Sequence, residues 1–444
     1  MTDSVVFQSD NLSWVMAGLI LVVSISVSAF SGRYLAGDRL QRRHRGLVAL
    51  LTCTMIVLVF SNHLLLFWCA WLISNLLLVL LMIHNSRWVA ARNSGLLAFK
   101  TLGIGTIALG AGLYLLYVHT GSITIDGVLQ SDKLSTTQSG IGLLCIAIAA
   151  MAQCAVLPFH RWLLSSLNSP TPVSALMHAG LVNGGGYLIV RFAPIVAEQP
   201  WLLQSIFVVG LISAFAGTFW KLIQTDIKRM LACSTVGQMG FMLVQCGMGL
   251  FVPAISHLCW HGLFKAYLFL NAGTSVRDQR TATSQASPTL SHVVLGLIAG
   301  MVGVFAFCGI TNLPIQLADT RCLLILMVLL ASSHLAIKTL AQGRTISSVF
   351  ISILASIMVG ICYGFSISLL EQLLPALSAI PAQAMNPVYF AGLGSFTLVW
   401  LAMLLDLPGK LQATTAWKRL YMMALNTSQP HPQTITAIRS AYQI

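Results

Sequence analysis

The sequence predicts an all-α polytopic membrane protein with about 13 transmembrane helices. Three observations carry that prediction. Of 444 residues, 57% are hydrophobic and only 8% charged, and the mean hydropathy is +0.84. Apolar runs of about 17 to 25 residues recur, each long enough to cross a hydrocarbon core of roughly 30 Å. Basic residues collect in every second loop between those runs.

In chain order the runs fall near residues 14–33, 46–61, 63–84, 97–119, 139–158, 172–195 and 201–222, then 230–249, 251–273, 289–312, 321–340, 346–370 and 387–407. The first has no basic stretch before it and no small-residue cleavage site after it, since Arg33 and Tyr34 follow, so it reads as a retained span. Residues 139–169 read as one span broken at Pro158, because proline removes a backbone donor and crowds the preceding turn. The run Pro170–Pro172 marks the next helix start. Gly184, Gly185 and Gly186 read as close helix packing. A second interruption, FCGITNLP from Phe307 to Pro314, lies about 150 residues later and points to broken helices in inverted repeats. The membrane bundle is therefore expected over 1–408 and a cytoplasmic tail over 409–444. In that tail TTAWKRLYMMALN, Thr414 to Asn426, interleaves apolar residues with Lys418 and Arg419, as an amphipathic helix does that lies on membrane lipid or docks a partner; a frayed basic tail is the alternative.

The formal net charge of +13 follows from topology. Arg33, Arg39, Arg42, Arg43, Arg45, Arg87, Arg92, Lys100, Arg161, Lys228, Arg229, Arg277, Arg280, Arg344, Lys410, Lys418 and Arg419 all fall on one side of a thirteen-span arrangement. The opposite loops hold Lys133, with Arg191 and Arg321 at their edges. The positive-inside rule then puts the N-terminus outside and the C-terminus in the cytoplasm. No basic patch interleaves with aromatics, which argues against nucleic acid. The ten cysteines are scattered singly, without a CxxC pair, and read as packing residues.

Ionisable groups inside the spans are few: His178; His257, His261 and Lys265; and His334 with Lys338. The spacing of His257, His261 and Lys265 is i, i+4, i+8, which puts them on one helix face about 6 Å of rise apart. Imidazoles titrate near neutrality and a desolvated lysine can be drawn toward that range, so such a ladder can pass protons. A lone histidine such as His178 can equally be a packing residue. His334 and Lys338, near a loop, either snorkel or form a secondary path. Two histidines at i, i+4 can also bind zinc. Here Lys265 puts a cation one turn away, the span has no carboxylate, and Cys259 leaves the shared face, so no metal and no catalytic residue is expected.

The runs LPFHRWLLSSLNSPTPVSALMHAG, QTDIKRMLACSTVGQMGFMLVQCG and HLCWHGLFKAYLFLNAG, within residues 50 to 312, resemble the antiporter-like membrane subunits of respiratory complex I and of multisubunit cation/proton antiporters. That resemblance implies an antiporter-like fold and places His178, His257, His261 and Lys265 in a proton path. Two positions depart from it: Leu72 follows Trp71 where the complex I subunits have glutamate, and Gln153 stands where they have lysine. Within the superfamily, HAGLVNGGGYLIVRFAP from His178, QMGFMLVQCGMGLF from Gln238, AWLISNLLL from Ala70 and LYMMALN from Leu420 resemble DabB-type subunits of DAB inorganic-carbon transporters. This implies a bacterial inner-membrane transporter subunit, not an enzyme, beside a large peripheral DabA-like zinc protein on the cytoplasmic side. Flow of H+ or Na+ would power directional CO2 hydration there. The chain holds no Cys/His/Asp cluster that could activate a water itself, so no cofactor is expected in it and zinc is expected on the partner. A cation/proton antiporter module and a complex I-like respiratory subunit are the alternatives.

Overall fold

A computed structural model describes residues 6–131, 136–273, 288–342 and 346–435. Lys133, Arg277, Arg280 and Arg344 of the charge pattern lie outside the described residues. The chain separates into two compact units: Met1–Gly247 with His257–Arg277 and Met422–Ile444, and Met248–Ser256 with Asp278–Tyr421. The tail from Met422 belongs to the first unit.

The first unit opens with α1 (Asn11–Tyr34), α2 (Gln41–Phe60), α3 (Leu64–Met82) and α4 (Val89–Thr120), followed by the short α5 (Ile125–Leu129). Asp10 caps α1 by accepting from the Ser13 amide at 2.7 Å, and Gly121 ends α4 at φ 73°, a left-handed position that suits glycine. Next come α6 (Thr136–Gln153), the single turn α7 (Arg161–Leu164), α8 (Thr171–Ala179), α9 (Gly184–Arg191) and α10 (Ala193–Val196). Then α11 (Pro200–Ile223), α12 (Ile227–Gly247) and α13 (Phe251–Leu270) run long, the last belonging to this unit from His257 onward. Helices α11 and α12 pack backbone to backbone: a Cβ on Gly240 would stand 2.5 Å from the Ala214 nitrogen.

The expected break at Pro158 is present, but α6 already ends at Gln153 and Pro158 lies inside the turn that leads to α7. Pro172 sits in the first turn of α8, as the sequence suggests. A break that the sequence reading did not anticipate interrupts the following span, where Gly180 and a 3-10 turn at Leu181–Asn183 separate α8 from α9. The glycines after it do serve packing, Gly185 meeting Ala150 of α6 and Cys154 just beyond its end.

The second unit contains α14 (Leu290–Thr311), α15 (Arg321–Gln342), α16 (Ile346–Leu373), the short α17 (Pro375–Ser378), α18 (Pro387–Leu404) and α19 (Leu407–Leu411). The stretch Phe307–Pro314 is not a broken helix: α14 runs intact to Thr311 and stops where Asn312 turns left-handed at φ 53°. The last helix, α20 (Thr415–Thr427), belongs to the first unit from Met422 onward.

Among the described residues, 11 helices are long and apolar enough to cross a membrane. Helices α6 and α13 are not among these 11, since the described side chains of α6 begin at Ser139 and the histidines and lysine of α13 lower that helix's hydropathy. The chain is a multi-span, all-helical membrane protein.

A buried polar network at the helix break

Three helices of the first unit build the site. Helix α8 carries His178 in its last turn, α12 carries Leu231 and Thr235 one turn apart, and α13 carries His257, His261 and Lys265. His178 is 1% exposed, Lys265 1%, His261 5% and Thr235 fully buried, while His257 is half-buried.

The Lys265 ammonium donates to the Leu231 carbonyl at 3.1 Å. The Thr235 hydroxyl donates to the same carbonyl at 3.0 Å and stands 3.0 Å from His178 Nδ1. With its hydrogen directed to Leu231, the Thr235 oxygen accepts from His178 Nδ1–H. One carbonyl thus joins the lysine of α13 to the histidine of α8. Phe269, one turn beyond Lys265, stacks on the His178 ring at 4.4 Å between centroids.

The second half of the network forms at the unanticipated break. Asn183 donates through Nδ2 to the Ala179 carbonyl at 2.7 Å, so its Oδ1, 3.2 Å from His261 Nδ1, accepts from that ring. Gly262 lets α13 approach the break this closely, since a Cβ there would lie 2.9 Å from the Ala179 carbonyl oxygen. His261 Nε2 is buried without a hydrogen-bond partner. Such a group is costly to leave unpaired in an apolar interior and is therefore informative about function. His257 continues the row toward Phe241, its ring 6.2 Å from that of His261.

The structure therefore gathers His178, His261 and Lys265 into one buried neighbourhood, with His257 at its edge. Where the resemblance would put a lysine, Gln153 is buried and donates to the Leu181 carbonyl at 3.2 Å, a neutral contact with the same break. His334 and Lys338 belong to the second unit, exposed on α15, and the network is built without them. Sequence reasoning missed Thr235 and Asn183. Asn183 had a signal, a polar side chain between Gly180 and the glycine triplet; Thr235 had none, because threonine is unremarkable inside a span.

Residues 61–361 match the family described as NADH:quinone oxidoreductase/Mrp antiporter, TM. The chain belongs to that family of antiporter-like membrane proteins. It is 37% identical over 310 residues to the "Probable inorganic carbon transporter subunit DabB" of Bacillus anthracis, covering 68% of this chain and 60% of that one. To DabB1 of Halothiobacillus neapolitanus it is 35% identical, over 61% of this chain and 50% of the relative. NADH-ubiquinone oxidoreductase chain 5 of Schizophyllum commune is 34% identical over 58% of this chain and 38% of its own length. The chain thus spans about half to three-fifths of the length of the DabB relatives it matches. Among solved structures, the Mrp complex from Dietzia sp. DQ12-45-1b has the same fold, with a TM-score of 0.63, 22% identity and coverage of 94% of this chain and 52% of that one.

Proposed function

We propose that the chain is the ion-conducting membrane subunit of a two-component, energy-coupled inorganic-carbon uptake complex. Protons, or Na+ ions in their place, move through the network of Lys265, His178, His261 and His257. A peripheral DabA-like partner carrying zinc on the cytoplasmic side uses that flow to drive hydration of CO2 to bicarbonate in one direction. The single observation that carries this reading is the Leu231 carbonyl, which joins Lys265 to Thr235 and hence His178 in the buried interior. A buried ammonium and imidazole held by so few partners are retained for transport more readily than for stability. Gln153 and Leu72, neutral where the complex I subunits pair a lysine with a glutamate, favour carbon uptake over redox-driven pumping. The membrane is taken as a bacterial inner membrane, with the C-terminus cytoplasmic by the distribution of basic loops.

The likeness to NADH-ubiquinone oxidoreductase chain 5 keeps a second reading in play, a respiratory or cation/proton antiporter subunit. One experiment separates the two. The complex is purified gently from its native membranes, its partners and metals are identified, and His261→Ala and Lys265→Ala variants are assayed for inorganic-carbon accumulation. A large zinc-bearing partner, with accumulation lost in both variants and the complex still assembled, supports carbon uptake. Flavin or iron-sulfur partners, or full accumulation in both variants, refute it.

A further inference from the structure

Beneath the last described residues lies a histidine that the network above does not use. His160, in the turn between α6 and α7, is 7% exposed, and neither ring nitrogen has a hydrogen-bond partner. Its ring lies against Trp220 with centroids 4.9 Å apart. The main chain of Thr427 and that of Pro158 border it, and Arg161 is the neighbouring charge. An imidazole sealed from water, with the Thr427 and Pro158 main chain beside it but no well-formed hydrogen bond at either nitrogen, is a poor structural element, because a phenyl ring would fill the space without the desolvation cost.

What seals it is the C-terminal segment. After α20 the chain crosses the surface beside the break and is fastened at points along its length. The Gln224 amide donates to Ser428 Oγ at 2.9 Å and Arg229 to the Gln429 side chain at 3.2 Å. The His431 amide donates to Ser165 Oγ at 2.9 Å, and Asn168 donates to the Thr434 carbonyl at 2.8 Å. Asn93 donates to the Gln433 carbonyl at 2.8 Å. Ser428 and Thr434 are 2% and 4% exposed. These bonds tie the starts of α4 and α12, the end of α11 and the residues after α7 to one strap.

Helix α11 connects this place to the ion path. Trp220 touches His160, and one turn earlier Gly217 packs against Gly237 and the Cys233 carbonyl of α12, the helix that carries Leu231 and Thr235. We propose that His160 is the residue at which the buried path exchanges protons with water at this end of the first unit, and that residues 427–435 are the lid that closes it. With the lid seated the ring is shut off from the aqueous side. With the lid lifted, water reaches a ring nitrogen, one proton is taken up from the aqueous side, one is passed inward, and the imidazole returns neutral. The inference rests on the ion-path reading, but its lid component stands on geometry alone.

The test keeps the two apart. The full chain in lipid nanodiscs, wild type and a Ser165→Ala/Asn168→Ala double variant that cuts two strap anchors, is treated with diethyl pyrocarbonate and modification of His160 is read by peptide mass spectrometry. Hydrogen exchange of 428–435 reports strap release, and thermal unfolding reports whether the variant stays folded. The expected result is a tenfold or greater rise in His160 modification that accompanies strap release. Unchanged modification with a released strap overturns the lid; so does strong modification of the wild type. Should the double variant unfold, truncation after Asn426 provides the same readout. Proton flux is then measured in proteoliposomes of the intact complex carrying His160→Phe, which preserves the contact with Trp220. Flux reduced at least tenfold supports the exchange role. Full flux in His160→Phe with none in His261→Ala overturns that role and leaves the ion path standing; full flux in both overturns both.

Discussion

Replacing Lys265 by methionine distinguishes a lysine held for transport from one held for folding. Lys265 is 1% exposed and its ammonium donates to the Leu231 carbonyl at 3.1 Å. A hydrogen bond from a charged donor contributes about 1.5–3 kcal/mol. Taking the ion out of water costs several kcal/mol even after the surroundings relax. A single carbonyl therefore leaves a net cost of roughly 1–3 kcal/mol that methionine, unbranched and of similar length, removes. The Leu231 carbonyl is not orphaned by the change, because the Thr235 hydroxyl still donates to it at 3.0 Å. Lys265→Met should accordingly unfold at the same temperature as the wild type or higher, while inorganic-carbon accumulation is abolished. Lys265→Ala, which opens a cavity, should lose about 2–5 kcal/mol by comparison with the methionine variant. The assay pairs thermal unfolding of the purified complex with carbon uptake in cells. A fall of more than about 5 °C in Lys265→Met would show that the ammonium is structural. Retained uptake would remove it from the path.

The other expectations can be checked with the same preparations. Thr235→Val leaves His178 Nδ1 unpaired, so it should cost about 1–3 kcal/mol and reduce ion flux, with Thr235→Ser restoring both; equal behaviour of the two variants refutes the bridge. Asn183→Leu removes the one hydrogen bond of the His261 ring and should depress flux in proteoliposomes while the complex still assembles, and undiminished flux would count against a role for the break. Gly240→Ala drives a methyl into the Ala214 backbone and should destabilise by about 1–3 kcal/mol, read as a lower unfolding temperature; an unchanged temperature would mean that α11 and α12 have room to separate. Outside the membrane segments, the hydrogen bond from His84, at 3.0 Å, holds the Asp38 carboxyl below its ordinary value of 3.8. A carboxylate depressed in the folded state stabilises above the ordinary value and loses that contribution as pH falls through the depressed one, so the contact should outlast pH 3.8 and fail only as pH falls through that lower value. In a carboxyl titration followed by NMR, His84→Ala should move Asp38 upward, and no movement would reject the assignment.

Much of this protein was legible in one dimension because the bilayer is a severe solvent. Every backbone polar group must be satisfied within a helix, so apolar length alone reveals spans, and a charge inside a span is rare enough to mark a site. That is why His178, His257, His261 and Lys265 could be singled out from spacing and motif, and why the disturbed region around Pro158 could be seen. Periodicity also put the last three on one face of a helix, and the chain is helical there.

What the sequence left open depends on which side chains meet across helices. The stretch Phe307–Pro314 carries the same glycine and proline marks as a true break, yet it is a helix end. The interruption at Gly180–Asn183 carries weaker marks and is real. Composition does not separate the two, because the decision is made by whether neighbouring groups satisfy the freed backbone and polar atoms, as Asn183 and Gln153 do here. Thr235 is an ordinary span threonine until α12 brings it between Leu231 and His178, and His160 is an ordinary loop histidine until residues 427–435 fold back over it. The sequence by itself determined the membrane class, the family and the ionisable face, because these follow from local apolarity and residue identity. Only the tertiary structure decided where the helices break, which carbonyl joins lysine to histidine and what covers His160, because each is a contact between residues far apart in the chain.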